Sequence, residues 1–149
     1  MAKINEVLVG AKFEYNIGTT LDPIWATTTL DVQDLEWLER DSNDFNSKHR
    51  PITLTKQILV DWYGFEDMND SMGFTLQLNY FVQFRLWLAK DEDGNNIWSE
   101  NHCDIFQKED GGDGYHQANL INTQIDYLHQ LQLLIQALTN KPLKHKQNG

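Results

Sequence analysis

FTLQLNYFVQFRLWL, residues 74–88, decides what kind of fold this chain adopts. Phe74, Leu76, Leu78, Tyr80, Val82, Phe84, Leu86 and Leu88 share one parity, and Thr75, Gln77, Asn79, Gln83 and Arg85 share the other. Side chains of a strand alternate between its two faces, so this period of two means β structure with one apolar face. Phe81 and Trp87 fall on the polar parity, which implies that part of that face is covered too. The stretch is long for one strand, so a bend, bulge or tight turn is expected near Asn79. One bent strand and a hairpin both satisfy the pattern.

Downstream, KDEDGNN at 90–96 reads as a hairpin turn, and IWSENHCDIF at 97–106 as the returning partner strand. QKEDGGDG at 107–114 reads as a flexible loop and YHQANLI at 115–121 as a last strand. Upstream, residues 4–15 suggest a strand with a turn or bulge near Gly10, GTTLDP at 18–23 a turn, and IWATTTLD at 24–31 a second strand. DVQDLEWLER at 31–40 repeats apolar residues every three positions behind Asp31, a natural cap, and reads as a short helix. DSNDFNSKHRP at 41–51 reads as a polar loop.

Two helices flank the central β segment. LTKQILVDWYGF at 54–65 carries both of its end signals, which predicts a helix over 55–63. Thr55 is the N-cap, Leu54 and Leu59 a hydrophobic staple, and Gly64 the left-handed residue that closes the helix, with Phe65 folding back onto Val60. Ile58, Leu59 and Trp62 would form its buried face. The C-terminal helix, about 125–139, places Ile125, Leu128, Leu131, Gln132, Ile135 and Leu138 on one stripe that Leu134 widens. Asn140 is positioned as a left-handed cap, and Pro142 bars continuation. The expected fold is therefore α+β: one domain over 1–149 with an antiparallel sheet, a short helix and a C-terminal amphipathic helix. A β-rich part covers 1–45, a helix–sheet–helix part 50–140, and a basic flexible tail 141–149.

Composition narrows function by exclusion. A chain of 149 residues with five Trp, five Tyr and seven Phe has material for a packed core. No apolar run is long enough to span a bilayer, and no signal-peptide pattern opens the chain, so a soluble cytoplasmic protein is expected. Cys103 stands alone, which excludes an internal disulfide and fits a reducing compartment. Net charge is −10, with seven acids and one base from Asp22 to Asp44, and eight acids and one base from Asp91 to Asp113. Nucleic-acid binding needs clustered Lys and Arg, and only KPLKHKQNG at the C-terminus offers any. Direct nucleic-acid binding is thus disfavoured, whereas a basic protein partner, or mimicry of DNA by the acidic segments, is compatible with the charge.

The catalytic and metal signals are sparse. HCD at 102–104 holds three ligand types in a row, but adjacent strand residues point to opposite faces, so only His102 and Asp104 can converge, with His116 as a further candidate. DEDGNNIWSENH at 91–102 resembles a calcium loop only in Asp91, Asp93 and Asn95, because its sixth and twelfth positions are Asn96 and His102. GGDG at 111–114 lacks the Lys and Ser or Thr of a phosphate cradle, and no cofactor is expected. A catalytic Cys103 would need a positive neighbourhood, and Glu100 and Asp104 make this one acidic. His129 is either a base acting with His102 or His116, as in a small hydrolase, or, together with the glutamine amides of the helix, a polar seat that satisfies backbone groups where helix meets sheet. Trp25, Trp37 and Trp98 are candidate partner anchors or, in the plainer alternative, core residues.

Two stretches carry a resemblance. RPITLTKQILVDWYGFE at 50–66 resembles a P-I-P-L-T-x-x-x-L-x-x-x-G-F-E block, and YLHQLQLLIQALTNKPL at 127–143 resembles a Y-V-H-Q-L-Q-N-L-Y-F-A-L-T-G block. Both mark a family of small uncharacterised proteins of Bacteroides-type bacteria and their phages and mobile elements; KINEVLVGAKF is more loosely similar to its opening. Asn140 stands where that family usually has Gly, and the central sheet is similar in pattern only. The family has no established activity, so the resemblance transfers no site residue and implies only an origin. The expectation is a non-enzymatic interaction or accessory factor with an unidentified protein partner. The alternatives are a DNA-mimic inhibitor, a small hydrolase and a minor virion component.

Overall fold

The computed structural model describes residues 2–3, 6–68, 73–91, 93–108, 114–121 and 124–146. The fold is α+β, with its strands divided between two antiparallel sheets. The chain forms two compact units: one from 1–53 with 127–142, the other from 54–126 with 143–149. Among the described residues, no helix is long and apolar enough to cross a membrane.

In the first unit, β1 (Lys12–Asn16) lies between β2 (Trp25–Thr29) and β3 (His49–Pro51). α1 (Val32–Arg40) starts as its sequence predicts. Asp31 Oδ1 accepts from the Asp34 amide at 2.9 Å, and Asp34 Oδ2 accepts from the Asp31 amide at 3.0 Å, a reciprocal cap. The expected polar loop at 41–51 is instead a second helix, α2 (Ser42–Lys48), followed by β3. Low helix propensity is overruled there by a local cap and a tertiary contact. Asp41 ends α1 and caps α2 through the Asp44 amide at 3.1 Å, and Phe45, the one large apolar residue of α2, is fully buried. Phe45 joins Val7, Ala11, Phe13, Leu30 and Leu38 in the core, with Leu35 and Trp37 packed against them.

α3 (Leu128–Thr139) belongs to this unit and begins beside β3's outgoing chain, where the Leu128 amide donates to Ile52 O at 2.8 Å. Leu128, Leu131 and Ile135 are buried as predicted. Leu138 is not: it lies in the last turn and is 39% exposed. Gln132 seats the helix on β1, accepting from the Lys12 amide at 2.9 Å and donating to Gly10 O at 3.1 Å. Asn140 closes the helix at φ 56°, in the left-handed region expected of it.

In the second unit a five-stranded sheet runs β4 (Glu66–Asp67), β5 (Phe74–Gln77), β6 (Val82–Trp87), β7 (His102–Lys108) and β8 (Tyr115–Ile121), in that spatial order. The long alternating stretch is therefore a hairpin. Asn79 makes its turn, with Oδ1 accepting from the Phe81 amide at 2.8 Å and the Val82 amide at 3.0 Å. The returning strand begins only at His102; residues 97–100 are bends in which Ile97 and Trp98 are exposed. The Asp91 carboxylate organises the preceding turn, accepting from the Asp93 and Asn95 backbone amides at 3.0 and 2.8 Å. Most of the expected flexible loop, 109–113, lies outside the described residues.

The short helix before β4 keeps both end signals. Thr55 Oγ1 accepts from the Ile58 amide at 3.3 Å, Gly64 has φ 72°, and the Phe65 amide donates to Leu59 O at 2.8 Å. Its middle, Ile58–Trp62, is π-helical, so residues five apart align. Tyr63 is consequently buried with Ile58 and Leu59 in place of the expected Trp62. Phe65 is buried and meets Phe84 edge-on at 6.3 Å. Leu143–Lys146, expected as part of a flexible tail, docks on this helix. The Lys146 amide donates to Trp62 O at 2.6 Å, and the His145 ring lies 5.3 Å from that of Tyr63. Residues 147–149 lie outside the described residues.

Candidate functional site

The β1–β2 connection, NIGTTLDPI at 16–24, is a braced loop that exposes aliphatic side chains. Asn16 spans it: Oδ1 accepts from the Gly18 amide at 2.9 Å and the Ile24 amide at 3.0 Å, and Nδ2 donates to Thr19 O at 3.1 Å. Thr19 Oγ1 accepts from the Asp22 amide at 2.9 Å, and the Thr19 and Ile17 amides donate to Asp22 O and Ile24 O at 3.1 and 2.8 Å. A Cβ on Gly18 would collide with Asp22 O, so only glycine fits there. On this frame Leu21 is 98% exposed, Ile17 63% and Ile24 55%. Scattered surface hydrophobes are ordinary, but three on one short loop whose amides are tied internally form a preorganised apolar knob. A turn was legible here in Gly18 and Pro23. The bracing was signalled only by Asn16, whose amide can imitate a backbone turn.

The three Trp candidates separate. Trp25 sits at the base of the loop, opposite Asn16, half-buried beneath the Arg50 guanidinium at 4.3 Å; Arg50 also pairs with Glu14 at 3.0 Å. Trp37 is partly buried against the core, edge-on to Phe45 and His49, with Nε1 donating to Asp44 at 3.0 Å. Trp98 is 45% exposed and stands edge-on to His102, which stacks on Trp87 at 4.8 Å.

His102 and His116 lie on opposite faces of the second sheet, and His129 belongs to the first unit. His102 and Asp104 share a face of β7, and the nearby His102 partly offsets the rise that burial imposes on the Asp104 pKa. His116 is exposed on β8 opposite Gln107, on the other face of the sheet. Cys103 faces inward opposite Leu86, fully buried, and burial together with the Asp104 charge pushes its pKa up to about 11, far from a reactive thiolate. His129 belongs to the other unit, sandwiched between Phe13 at 4.8 Å and Tyr127 at 5.8 Å. Burial lowers its pKa to about 4 against the opposing pull of Glu6, so the ring is neutral. Its Nδ1 is buried with no hydrogen-bond partner among the described residues, and of the expected polar seat it is the glutamine part, through Gln132, that satisfies backbone groups. Among the described residues no three His, Cys, Asp or Glu side chains are grouped to hold a metal ion. The acidic segments 22–44 and 91–113 fall in different units.

Comparison with protein-family models, curated proteins and solved structures finds no match for this chain.

Proposed function

We propose that this chain is a non-enzymatic protein–protein interaction factor, and that it engages its partner with the β1–β2 loop, Trp25 lying at its base. The observation that carries this reading is the exposure of Ile17, Leu21 and Ile24 on a loop fixed by Asn16. An apolar knob held rigid before binding loses little conformational entropy when it docks, and it buries area that water disfavours. The resemblance of residues 50–66 and 127–143 to proteins of phages and mobile elements suggests an accessory role in that setting.

The test is capture with the tagged full chain from nuclease-treated host lysate, with and without phage infection, beside a Leu21→Asp variant. Leu21 makes no burial contribution to the fold, so the variant keeps the wild-type melting temperature. One stoichiometric protein retained by the wild type and lost by the variant is expected. A partner held equally by both, or nothing above background, removes the reading.

A further inference from the structure

One row of the second sheet carries two opposite charges that do not meet. Thr75, Arg85 and Asp104 are directly opposed across β5, β6 and β7, so their side chains leave the same face. Arg85 and Asp104 are each 8% exposed. At that spacing an arginine and a carboxylate readily close into a bidentate pair. Here the guanidinium turns along the strand instead. Its Nε donates to Gln83 Oε1 at 2.7 Å, and its central carbon sits 3.8 Å from the Phe106 ring centroid. Asp104 Oδ1 is left buried with no hydrogen-bond partner among the described residues. A buried carboxylate oxygen without a donor is costly, and native folds keep few of them.

We propose that Arg85 and Asp104 form a binding site for a free α-amino acid, whose ammonium donates to Asp104 and whose carboxylate accepts from Arg85. The chemistry follows from the charges already in place. A zwitterion satisfies both without changing the net charge of the buried row; a simple anion would sit against Asp104, and a simple cation against Arg85. The Phe106 ring and Gln83 fix the plane of the guanidinium and occupy its Nε, which leaves the outer nitrogens for a carboxylate. The Tyr115 hydroxyl, which accepts from Gln77 Nε2 at 2.8 Å, still has its own proton to donate on this face. The site lies in the second unit and does not depend on the β1–β2 loop of the first.

The experiment is a thermal-shift series on the full chain with the twenty common L-amino acids, one at a time, followed by calorimetry on any that stabilise. At least one is expected to raise the melting temperature, whereas acetate and methylamine, each lacking one of the two charges, are not. Arg85→Gln and Asp104→Asn are each expected to weaken binding by about tenfold or more. Affinity is expected to fall on acidification as Asp104, whose pKa burial raises against the opposing pull of His102 on the same face, takes up a proton. Since these variants touch a buried row, the wild-type Arg85 Nε–H resonance is also followed during titration, and it is expected to move. The proposal is overturned if no amino acid stabilises the chain, if acetate does so equally well, if folded variants bind unchanged, or if a stabilising amino acid leaves the Arg85 resonance in place.

Discussion

At the scale of single residues, the buried His49 and His129 are expected to make stability depend on acid pH. His49 is buried in the first unit, stacked on Phe45 at 3.9 Å, with Nδ1 hydrogen-bonded to Phe45 O at 2.9 Å. Burial lowers its pKa, and it lowers that of His129 to about 4 from the ordinary 6.5. The His129 ring therefore stays neutral in the fold down to about pH 4, and His49 takes up a proton less readily than in the unfolded chain, which binds protons as pH drops below about 6.5. Stability contributed by His129 is therefore full above pH 6.5 and is lost progressively down to about pH 4. Urea unfolding should show a loss of a few kcal/mol across that window. His129→Leu should flatten part of the slope and leave the part due to His49. An unaltered slope in that variant would place the proton uptake elsewhere.

At the scale of elements, backbone conformation decides which substitutions are tolerated. Gly64 at φ 72° closes the short helix, and the Phe65 amide relies on that geometry to reach Leu59 O. Gly64→Ala puts a Cβ into the left-handed region and should destabilise by about 1 kcal/mol. Asn140 holds the corresponding position at φ 56° after α3, so Asn140→Gly should cost nothing measurable or stabilise slightly. Chemical denaturation of both variants checks the asymmetry; equal losses would mean that the caps act through side-chain contacts. These caps were visible in sequence because a cap is a local arrangement of residue types. α2 was not visible, because seven residues with a single apolar side chain form a helix only when a core accepts Phe45.

For the molecule as a whole, chain order and spatial order differ. The first unit is completed by α3, contributed from the other end of the sequence. Leu128, Leu131 and Ile135 are buried there, each worth roughly 2 kcal/mol, a sum comparable to the total stability of a small domain. A chain ending at Asp126 should therefore lose amide protection throughout β1, including Lys12, whose N–H would lose Gln132. Hydrogen exchange measures this directly. Retained protection in the truncated chain would show that β1–β3 with α1 and α2 is self-sufficient.

What the sequence by itself determined is whatever depends on near neighbours: the period of two in 74–88, the reciprocal cap at Asp31, Thr55 and Gly64 around the short helix, and Asn140 after α3. Each is set by residues within one turn or one pleat of each other. The tertiary structure decided the rest. It split the strands between two sheets, delayed β7 to His102, turned Phe45 into the reason for a helix, and put Tyr63 in place of Trp62 in the core. It also assigned His129 and His102 to different units and opposed Arg85 to Asp104. Strand register and core membership depend on residues far apart in the chain. Their contact is selected by burial and hydrogen-bond satisfaction summed over the fold, which no local pattern encodes.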